Sequence, residues 1–241
     1  MLKAGRGRPR RWVAALSRFW ADDRGLSIFS VLLLVVIFIL PPLVPAGTGR
    51  SLAGDVLNAL LLVAGVGGLA DRRGTRLFLL PAACVAIAVD FGSWILPVPM
   101  PWVLGTSLVS LLVFLVVVLT QTLRAGPVTF HRIQGAIGAY LLLGLLWAHA
   151  YALLTSLRPG AFGGALGAGD GARAFYYFSF VTLATVGYGD ILPVHPVARS
   201  LAMLEAVTGS LYLTILVARL VSLSVPPRGD EGRHDSAGAE E

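Results

Sequence analysis

The chain has little charge and almost no cysteine. Asp, Glu, Lys and Arg make up 13% of its 241 residues, whereas about 25% is usual in a soluble domain. The single cysteine, Cys84, lies in an apolar run and has no second cysteine with which to form a disulfide or a cysteine-based metal site. These shortages exclude a disulfide scaffold and argue against a soluble domain. We predict that Cys84 is a small buried hydrophobic residue.

Long apolar stretches fill the chain instead. Hydrophobic residues make up 56% of it and the mean hydropathy is +0.79, which is the balance of a polytopic membrane protein. Because a membrane-spanning helix needs about 20 mostly apolar residues, we predict six such helices. They lie at about residues 26–44, 52–70, 77–97, 102–123, 133–157 and 197–225. The first is longer than the apolar part of a signal peptide and has no clear cleavage site, so we expect it to be retained.

Basic residues set the expected orientation of these helices. The net charge is +6, and seven of the nineteen Lys and Arg residues precede position 25. Further bases lie in the segments 71–76 and 124–132, while the turn at 97–101 has no charge, which is the pattern of the positive-inside rule. Both termini are therefore predicted to be cytoplasmic. The other bases are scattered through short loops, so we expect no nucleic-acid partner.

The connection between the fifth and sixth helices differs from the others. It opens with a glycine-rich stretch at 158–171, which we interpret as an exposed, flexible loop. Residues 172–184 are apolar and aromatic but too short to span a membrane, and they are predicted to form a re-entrant helix. The sequence TVGYGD follows at 185–190. The polar tail at 226–241 is predicted to be disordered.

The TVGYGD stretch is suited to binding a cation through its backbone. Gly187 and Gly189 can adopt backbone angles that are closed to other residues. With alternating angles, successive carbonyl oxygens point the same way and form a row of ligands for a dehydrated hard cation. The Thr185 hydroxyl adds an oxygen at the inner end. Non-helical backbone is tolerated at membrane depth only where it is buried in protein or lines a water-filled cavity.

Residues 182–190, TLATVGYGD, carry the T-x-x-T-V-G-Y-G-D signature, and by it the chain resembles the potassium channel family in its bacterial, six-helix form with one pore loop. The resemblance implies that backbone oxygens of this selectivity filter coordinate K+. The implied filter residues are Thr185, Val186, Gly187, Tyr188 and Gly189.

The same resemblance implies an all-α membrane protein with a re-entrant pore helix. Because each chain carries one filter, the resemblance implies a homotetramer. It also implies a location in the plasma membrane, which in bacteria is the inner membrane. Membrane lipids are the only other partner expected. No cofactor, small-molecule substrate or enzyme activity is expected, and K+ at the filter is the only metal.

Neighbouring positions are expected to support the filter. Thr182 and Asp190 belong to the signature itself. Many relatives place a tryptophan eight residues before the filter threonine, where it bonds the filter aspartate. Tyr177 holds that position here, and we hypothesise that it bonds Asp190. Some bacterial members pair that aspartate with a glutamate at the position of Val181, so that partner is missing. The aromatic run 175–178 is expected to pack around the filter.

The sixth helix carries the candidate gating residues. Gly209 lies nineteen residues after Asp190, where relatives have a hinge glycine, although close packing against the pore helix is an equal alternative. Glu205 is expected to brace the pore helix or to tune gating by protonation, with His149 as a candidate titrating partner. The residues predicted to face the central cavity are Ser210, Leu213, Thr214 and Val217.

The first four helices lack a voltage sensor. Residues 102–123 contain no Lys, Arg, Asp or Glu, whereas voltage-gated relatives carry arginines at every third position there. We therefore predict little or no voltage dependence. Asp55 is expected to be solvated near a helix end. Asp90 is deeper, and is either vestigial or bonded to one of three polar neighbours, Asn58, Ser93 and Trp94.

The sequence thus predicts a K+-selective channel subunit of four parts. They are a basic cytoplasmic segment (1–25), a voltage-sensor-like module without gating arginines (26–123), a pore domain (124–225) and a cytoplasmic tail (226–241). Alternatives are a non-selective or ligand-gated cation channel, a K+-uptake transporter, and a non-conducting membrane subunit. The intact filter counts against a non-selective channel, and the absence of a ligand-binding domain counts against a ligand-gated channel. The single pore unit counts against a K+-uptake transporter.

Overall fold

The structure, a computed structural model, describes residues 24–39, 52–69, 73–122, 130–166 and 171–224. Residues 1–23 of the basic N-terminal segment, Arg124 and the polar tail at 226–241 lie outside these residues. The elements in chain order are α1 (Arg24–Leu34, continued by a π-helical turn at Val35–Ile39), α2 (Leu52–Leu69), α3 (Arg73–Gly92), α4 (Met100–Thr122), α5 (Phe130–Leu157), β1 (Phe162–Gly164), α6 (Gly171–Leu183), β2 (Ile191–Pro193) and α7 (Pro196–Ser224). We call α1–α4 the four-helix module and the elements from α5 to α7 the pore module.

A helix is present at each of the six predicted places, and the short α6 precedes the filter as expected. By length and composition, three segments qualify to cross a membrane: Met100–Thr120, Ile133–Leu157 and Pro196–Arg219. The described parts of α1, α2 and α3 hold shorter apolar segments, at Phe29–Ile39, Asn58–Gly67 and Leu77–Gly92. The protein is therefore a mostly helical membrane protein, and the count of six spans stays a prediction.

The third helix ends earlier than the sequence suggested. It was predicted to reach residue 97, but α3 ends at Gly92 and residues 93–99 form a turn. The main-chain amide of Leu96 donates to the Gly92 carbonyl over 2.8 Å at this bend. Pro97 disfavours helical backbone at Leu96, so the helix could not continue to residue 97.

One apolar core joins the four-helix module to α5. The most extensive packing between elements is that of α4 on α5, and α1 packs on both α2 and α5. The largest fully buried apolar side chains of this core are Phe29, Leu33, Leu61, Leu79, Phe114, Val118, Leu142 and Leu145. The pore module is thus seated on the four-helix module through α5.

Cys84 lies outside this core. Its side chain is exposed on α3, so the prediction of a buried residue is wrong. The neighbouring Ala83 and Ala86 are buried, which shows that α3 turns a different face to the core. An apolar run does not separate core from lipid-facing positions, because lipid tails are as apolar as a protein core.

A second core, made largely of aromatic rings, lies inside the pore module. Tyr151 of α5, Phe162 of β1, and Phe175 and Phe178 of α6 are all buried. The rings of Tyr151 and Phe178 meet edge to face at 5.1 Å, as do those of Phe162 and Phe175. This T-shaped geometry is the favourable one for aromatic pairs. We call these four rings the aromatic cluster.

The glycine-rich stretch after α5 is partly ordered, which corrects its prediction as a flexible loop. Ala161 and Phe162 are buried, and β1 pairs antiparallel with β2. Gly164 faces Ile191 in this two-stranded ribbon. The ribbon was missed because glycine weakens a strand locally, whereas here the pairing comes from a segment far along the chain.

Candidate ion-conduction site

The last carbonyls of the pore helix α6 accept hydrogen bonds from amides of the filter backbone. The amide of Thr185 donates to the Thr182 carbonyl over 2.9 Å, and the amide of Val186 donates to the Val181 carbonyl over 2.9 Å. The amide of Gly187 also reaches the Val181 carbonyl, over 3.3 Å. Carbonyls at a helix end have no partner within the helix, so these bonds satisfy them and fix where the filter starts.

Left-handed backbone recurs at every second residue of the filter. The φ angles are +58° at Thr185, +58° at Gly187 and +76° at Gly189. Thr185 is the sole non-glycine residue with positive φ among the residues that the structure describes. For a β-branched residue this conformation is strained by about 1–3 kcal/mol, and such strain gathers at functional sites.

The alternating sign of φ affects the direction in which the filter carbonyls point. In an ordinary strand successive carbonyls point to opposite sides, and changing the sign of φ at alternate residues removes that opposition. The filter is also open to one side: Val186 and Tyr188 are 53% and 70% exposed. A Cβ added at Gly187 or Gly189 would meet nothing within 4 Å. The geometry therefore leaves a row of main-chain groups beside free space.

The outer end of the filter is clamped by the two-stranded ribbon. The amide of Ala165 donates to the main-chain carbonyl of Asp190 over 2.7 Å. Gly164 has φ +90°, and a Cβ at this position would collide with the same Asp190 carbonyl oxygen. The ribbon therefore approaches the filter as closely as a glycine allows. Nothing in the filter signature pointed to this contact.

The Tyr177 side chain reaches Asp190, as hypothesised from the sequence. A hydrogen bond with Asp190 is the main cause that raises the pKa of Tyr177, followed by desolvation and the charge of Asp190. The hydroxyl therefore stays protonated at neutral pH and can donate. The rings of Tyr177 and Tyr188 are stacked at 6.4 Å with 3° between their planes. This agrees with the hypothesised contact, and both the role of the bond and its effect on inactivation stay predictions.

The carboxylate of Asp190 has a second contact within its own turn. The amide of Ile191 donates to Asp190 Oδ1 over 3.1 Å. Val181, which stands where some relatives carry a glutamate, supports the filter through its main-chain carbonyl only. Thr182 likewise contributes its carbonyl, and its side chain is half-buried.

Behind the filter, Glu205 connects three helices. Its side chain is completely buried on α7. Glu205 Oε2 lies 2.5 Å from the Tyr151 hydroxyl of α5, and Oε1 lies 2.5 Å from the Ser179 hydroxyl of α6. Ser179 Oγ is also 2.8 Å from the Gly144 carbonyl of α5. This arrangement favours the brace predicted from the sequence, and we call the four residues the Glu205 network.

His149 is not a partner of Glu205. Its Nδ1 donates to the Leu145 carbonyl of its own helix over 2.8 Å. Its ring meets the Tyr176 ring edge to face at 5.9 Å. The histidine is thus held by its own helix and a neighbouring ring.

Gly209 permits a close approach of α7 to the pore helix. A Cβ at this position would collide with the carbonyl oxygen of Leu183, the last residue of α6. The packing alternative given for Gly209 is thereby supported, and a role as a hinge stays a prediction. Tyr212 adds a second link, because its hydroxyl donates to the Ala136 carbonyl of α5 over 2.6 Å.

The predicted cavity-facing residues of α7 are all exposed. They are Ser210, Leu213, Thr214 and Val217. Both hydroxyls bond main-chain carbonyls of their own helix: Ser210 donates to the Ala206 carbonyl and Thr214 donates to the Ser210 carbonyl. Only 11% of the apolar stretch of α7 is buried within the chain, whereas 44% is buried in α4 and in α5. This apolar helix has few neighbours within a single chain.

In the four-helix module, Asp90 is buried among neutral polar groups. Asn58 donates to Asp90 Oδ2 over 3.0 Å, and Ser107 lies 3.4 Å from Oδ1. Ser93 donates to the main-chain carbonyl of Asp90 rather than to its side chain. The other acid, Asp55, accepts from the Trp94 indole over 2.7 Å on an exposed surface. Asn58, one of the three neighbours named from the sequence, thus bonds the Asp90 carboxylate.

Comparison with known proteins gives matches to the pore module. Residues 139–225 match a family model described as an ion channel. The inward rectifier potassium channel Kirbac3.1 of Paramagnetospirillum magnetotacticum is 33% identical over 94 residues, which are 37% of this chain and 28% of that relative. Two-pore potassium channel 4 of Arabidopsis thaliana is 45% identical over 47 residues, or 20% of this chain and 16% of that relative.

Two pore potassium channel c of rice, Oryza sativa subsp. japonica, is 36% identical over 84 residues, which are 35% of this chain and 17% of that relative. The chain therefore covers less than a third of each of these relatives. No solved structure matches the chain significantly. The filter geometry, the ion-channel match and the potassium-channel relatives agree, and the pore module of this chain is similar to the matching parts of potassium channels.

Proposed function

We propose that four copies of this chain form a K+-selective channel that conducts K+ passively across the membrane with little dependence on voltage. The observation that carries the proposal is the filter backbone, whose φ is left-handed at Thr185, Gly187 and Gly189 and which faces open space. Rings of such carbonyls, one set from each subunit, replace the hydration shell of K+ in channels of this family.

Assembly is supported by the apolar surface that a single chain leaves uncovered. On α7, six large apolar side chains are more than half exposed: Met203, Leu204, Val207, Leu211, Ile215 and Val217. The filter itself supplies only one quarter of a ring. Four copies around one axis complete the filter and give α7 its neighbours. The coordinating groups are then the carbonyls of residues 185–188, with Gly189 at the mouth.

Weak voltage dependence is supported by the composition of α4. Met100–Thr122 contains no acidic or basic residue. Moving one charge through the membrane field supplies about 2.3 kcal/mol per 100 mV, so steep gating needs several charges in each subunit. This helix has none to move.

The test is a recording of the purified protein in planar bilayers, with K+ on one side and Na+ on the other, during voltage ramps. We expect a reversal potential near the K+ equilibrium potential and an open probability that changes little with voltage. Gly187→Ala, which forces a side chain onto a left-handed filter position, should abolish the current. Gly105→Ala, where a Cβ meets open space, is the neutral control.

Each other outcome has a distinct meaning for the proposal. A reversal near zero would indicate a non-selective cation channel, and a total lack of current would favour a non-conducting subunit. A steep voltage response that persists without internal blocking ions would overturn the claim of weak voltage dependence alone.

A further inference from the structure

Glu205 is a buried acid whose hydrogen-bond partners among the described residues are uncharged. Its side chain has no exposed surface, and no lysine or arginine of the described residues forms an ion pair with it. The groups at its two oxygens are hydroxyls, those of Tyr151 and Ser179. Tyr140, also on α5, is the other titratable group close enough to sense its charge. A buried carboxylate that is neither paired with a cation nor solvated is costly.

The protons of the Glu205 network can be counted. Ser179 has one hydroxyl proton, yet Ser179 Oγ is 2.8 Å from the Gly144 carbonyl and 2.5 Å from Glu205 Oε1. A carbonyl oxygen only accepts. If Glu205 were ionised, both neighbours of Ser179 Oγ would be acceptors. One of the two short contacts would then have no proton in it, which is unfavourable in a buried site.

A protonated Glu205 removes this conflict. Glu205 Oε1 then donates to Ser179 Oγ, and Ser179 Oγ donates to the Gly144 carbonyl. The Tyr151 hydroxyl donates to Glu205 Oε2 over 2.5 Å. Each short contact has one proton, and all the oxygen atoms involved are satisfied.

We propose that Glu205 is held as a neutral carboxylic acid and that, in this form, it is a positioning residue that ties the pore helix to α5 and α7 behind the filter. The tie acts on Ser179, which lies in α6 six residues before Thr185. Loss of the Glu205 proton frees Ser179 from one of its two partners and places an unpaired charge behind the pore helix. The conduction part of this inference rests on the proposed function.

The first test is spectroscopic and needs no current. Infrared difference spectra between the wild-type protein and Glu205→Gln in liposomes should show, at neutral pH, the carbonyl band of a protonated carboxylic acid in the wild type only. A difference spectrum with carboxylate bands alone would overturn the proposal. Because both proteins are compared folded, the result stands whether or not the chain conducts.

The second test uses the amide as a permanently neutral mimic. A glutamine can donate from its NH2 to Ser179 Oγ and accept from Tyr151 with its oxygen, so Glu205→Gln should keep the thermal stability of the assembly and the K+ current. Ser179→Ala removes the middle of the chain and should lower the melting temperature. A Glu205→Gln protein that loses its current or its stability, beside an active wild type, would overturn the proposal.

The third test is the pH dependence of the current. Raising the pH should cause a loss of wild-type K+ current as Glu205 ionises, while Glu205→Gln should stay active over the same range. Equal losses in both proteins would assign the effect to other groups and contradict the proposal. If the wild type conducts at no pH, the proposed function fails, and the infrared result still decides the protonation of Glu205.

Discussion

The described residues of the four-helix module (24–39, 52–69 and 73–122) are helical except for the turn at 93–99. The pore module instead has two non-helical segments, 158–166 with β1 and 184–195 with β2. In the first region the backbone satisfies its own hydrogen bonds within each helix. In the second region the main-chain groups of 185–191 bond partners on α6 and on the ribbon. A Cβ added at Gly164 or Gly209 would collide with a main-chain carbonyl oxygen at the filter, whereas a Cβ added at Gly65 of the four-helix module would collide with the Phe114 side chain.

Each region contains a buried acid, and the two acids differ in which elements supply their hydrogen-bond partners. Asp90 sits between Asn58 and Ser107, within the four-helix module itself. Glu205 joins α7 to α5 and α6, and so connects elements that meet around the filter. The same chemical group is local in one region and links helices in the other. Substitutions should consequently have larger effects on conduction in the pore module.

The largest effect is expected from Gly164→Ala. The new Cβ collides with the Asp190 carbonyl oxygen, so the ribbon must move away from the filter. Overpacking of this kind costs about 1–3 kcal/mol, and the conductive filter should be lost. Single-channel recording and thermal melting of the assembly would measure both effects.

Gly160→Ala is the matched control for that substitution. Gly160 has φ +84°, close to the +90° of Gly164, but its Cβ would meet open space. It carries the backbone strain without the collision. If the two variants lost current and stability equally, the clamp on Asp190 would not be the cause.

An intermediate effect is expected from Tyr177→Phe. The substitution keeps the ring that stacks on Tyr188 and removes the hydroxyl that bonds Asp190. The K+ current should then decline faster during sustained opening, with selectivity retained at first. Tyr176→Phe, whose ring lies against His149 instead, should behave as the wild type. An unchanged decay in Tyr177→Phe would contradict the role of this bond.

The smallest effect on conduction is expected from Asp90→Asn. An amide has one acceptor oxygen in place of two, so a contact with Asn58 or Ser107 is weakened, at a cost of about 1 kcal/mol. Melting temperature should fall slightly, and the reversal potential and open probability should not change. Asp55→Asn on the exposed surface should shift the melting temperature less. A marked change of gating in Asp90→Asn would show that the four-helix module acts on the pore after all.

Much of the fold could be predicted because lipid imposes a simple rule on length and hydropathy. The fifth and sixth apolar runs were predicted at 133–157 and 197–225, and the helices occupy Phe130–Leu157 and Pro196–Ser224. The exposure of Cys84 and the early end of α3 at Gly92 could not be predicted in the same way. Apolar runs do not distinguish a core face from an outer face, and a helix end depends on the turn that follows.

The sequence by itself determined the filter. Its glycines, threonines and spacing restrict the backbone locally, so residues 182–190 were sufficient to show the resemblance to potassium channels and to name candidate ion ligands. Only the tertiary structure decided what holds the filter: the ribbon that brings Gly164 to Asp190, the close packing of Gly209 on Leu183, and the Glu205 network. These contacts join residues 26 to 54 positions apart, and a distant pairing leaves no local pattern in a single sequence.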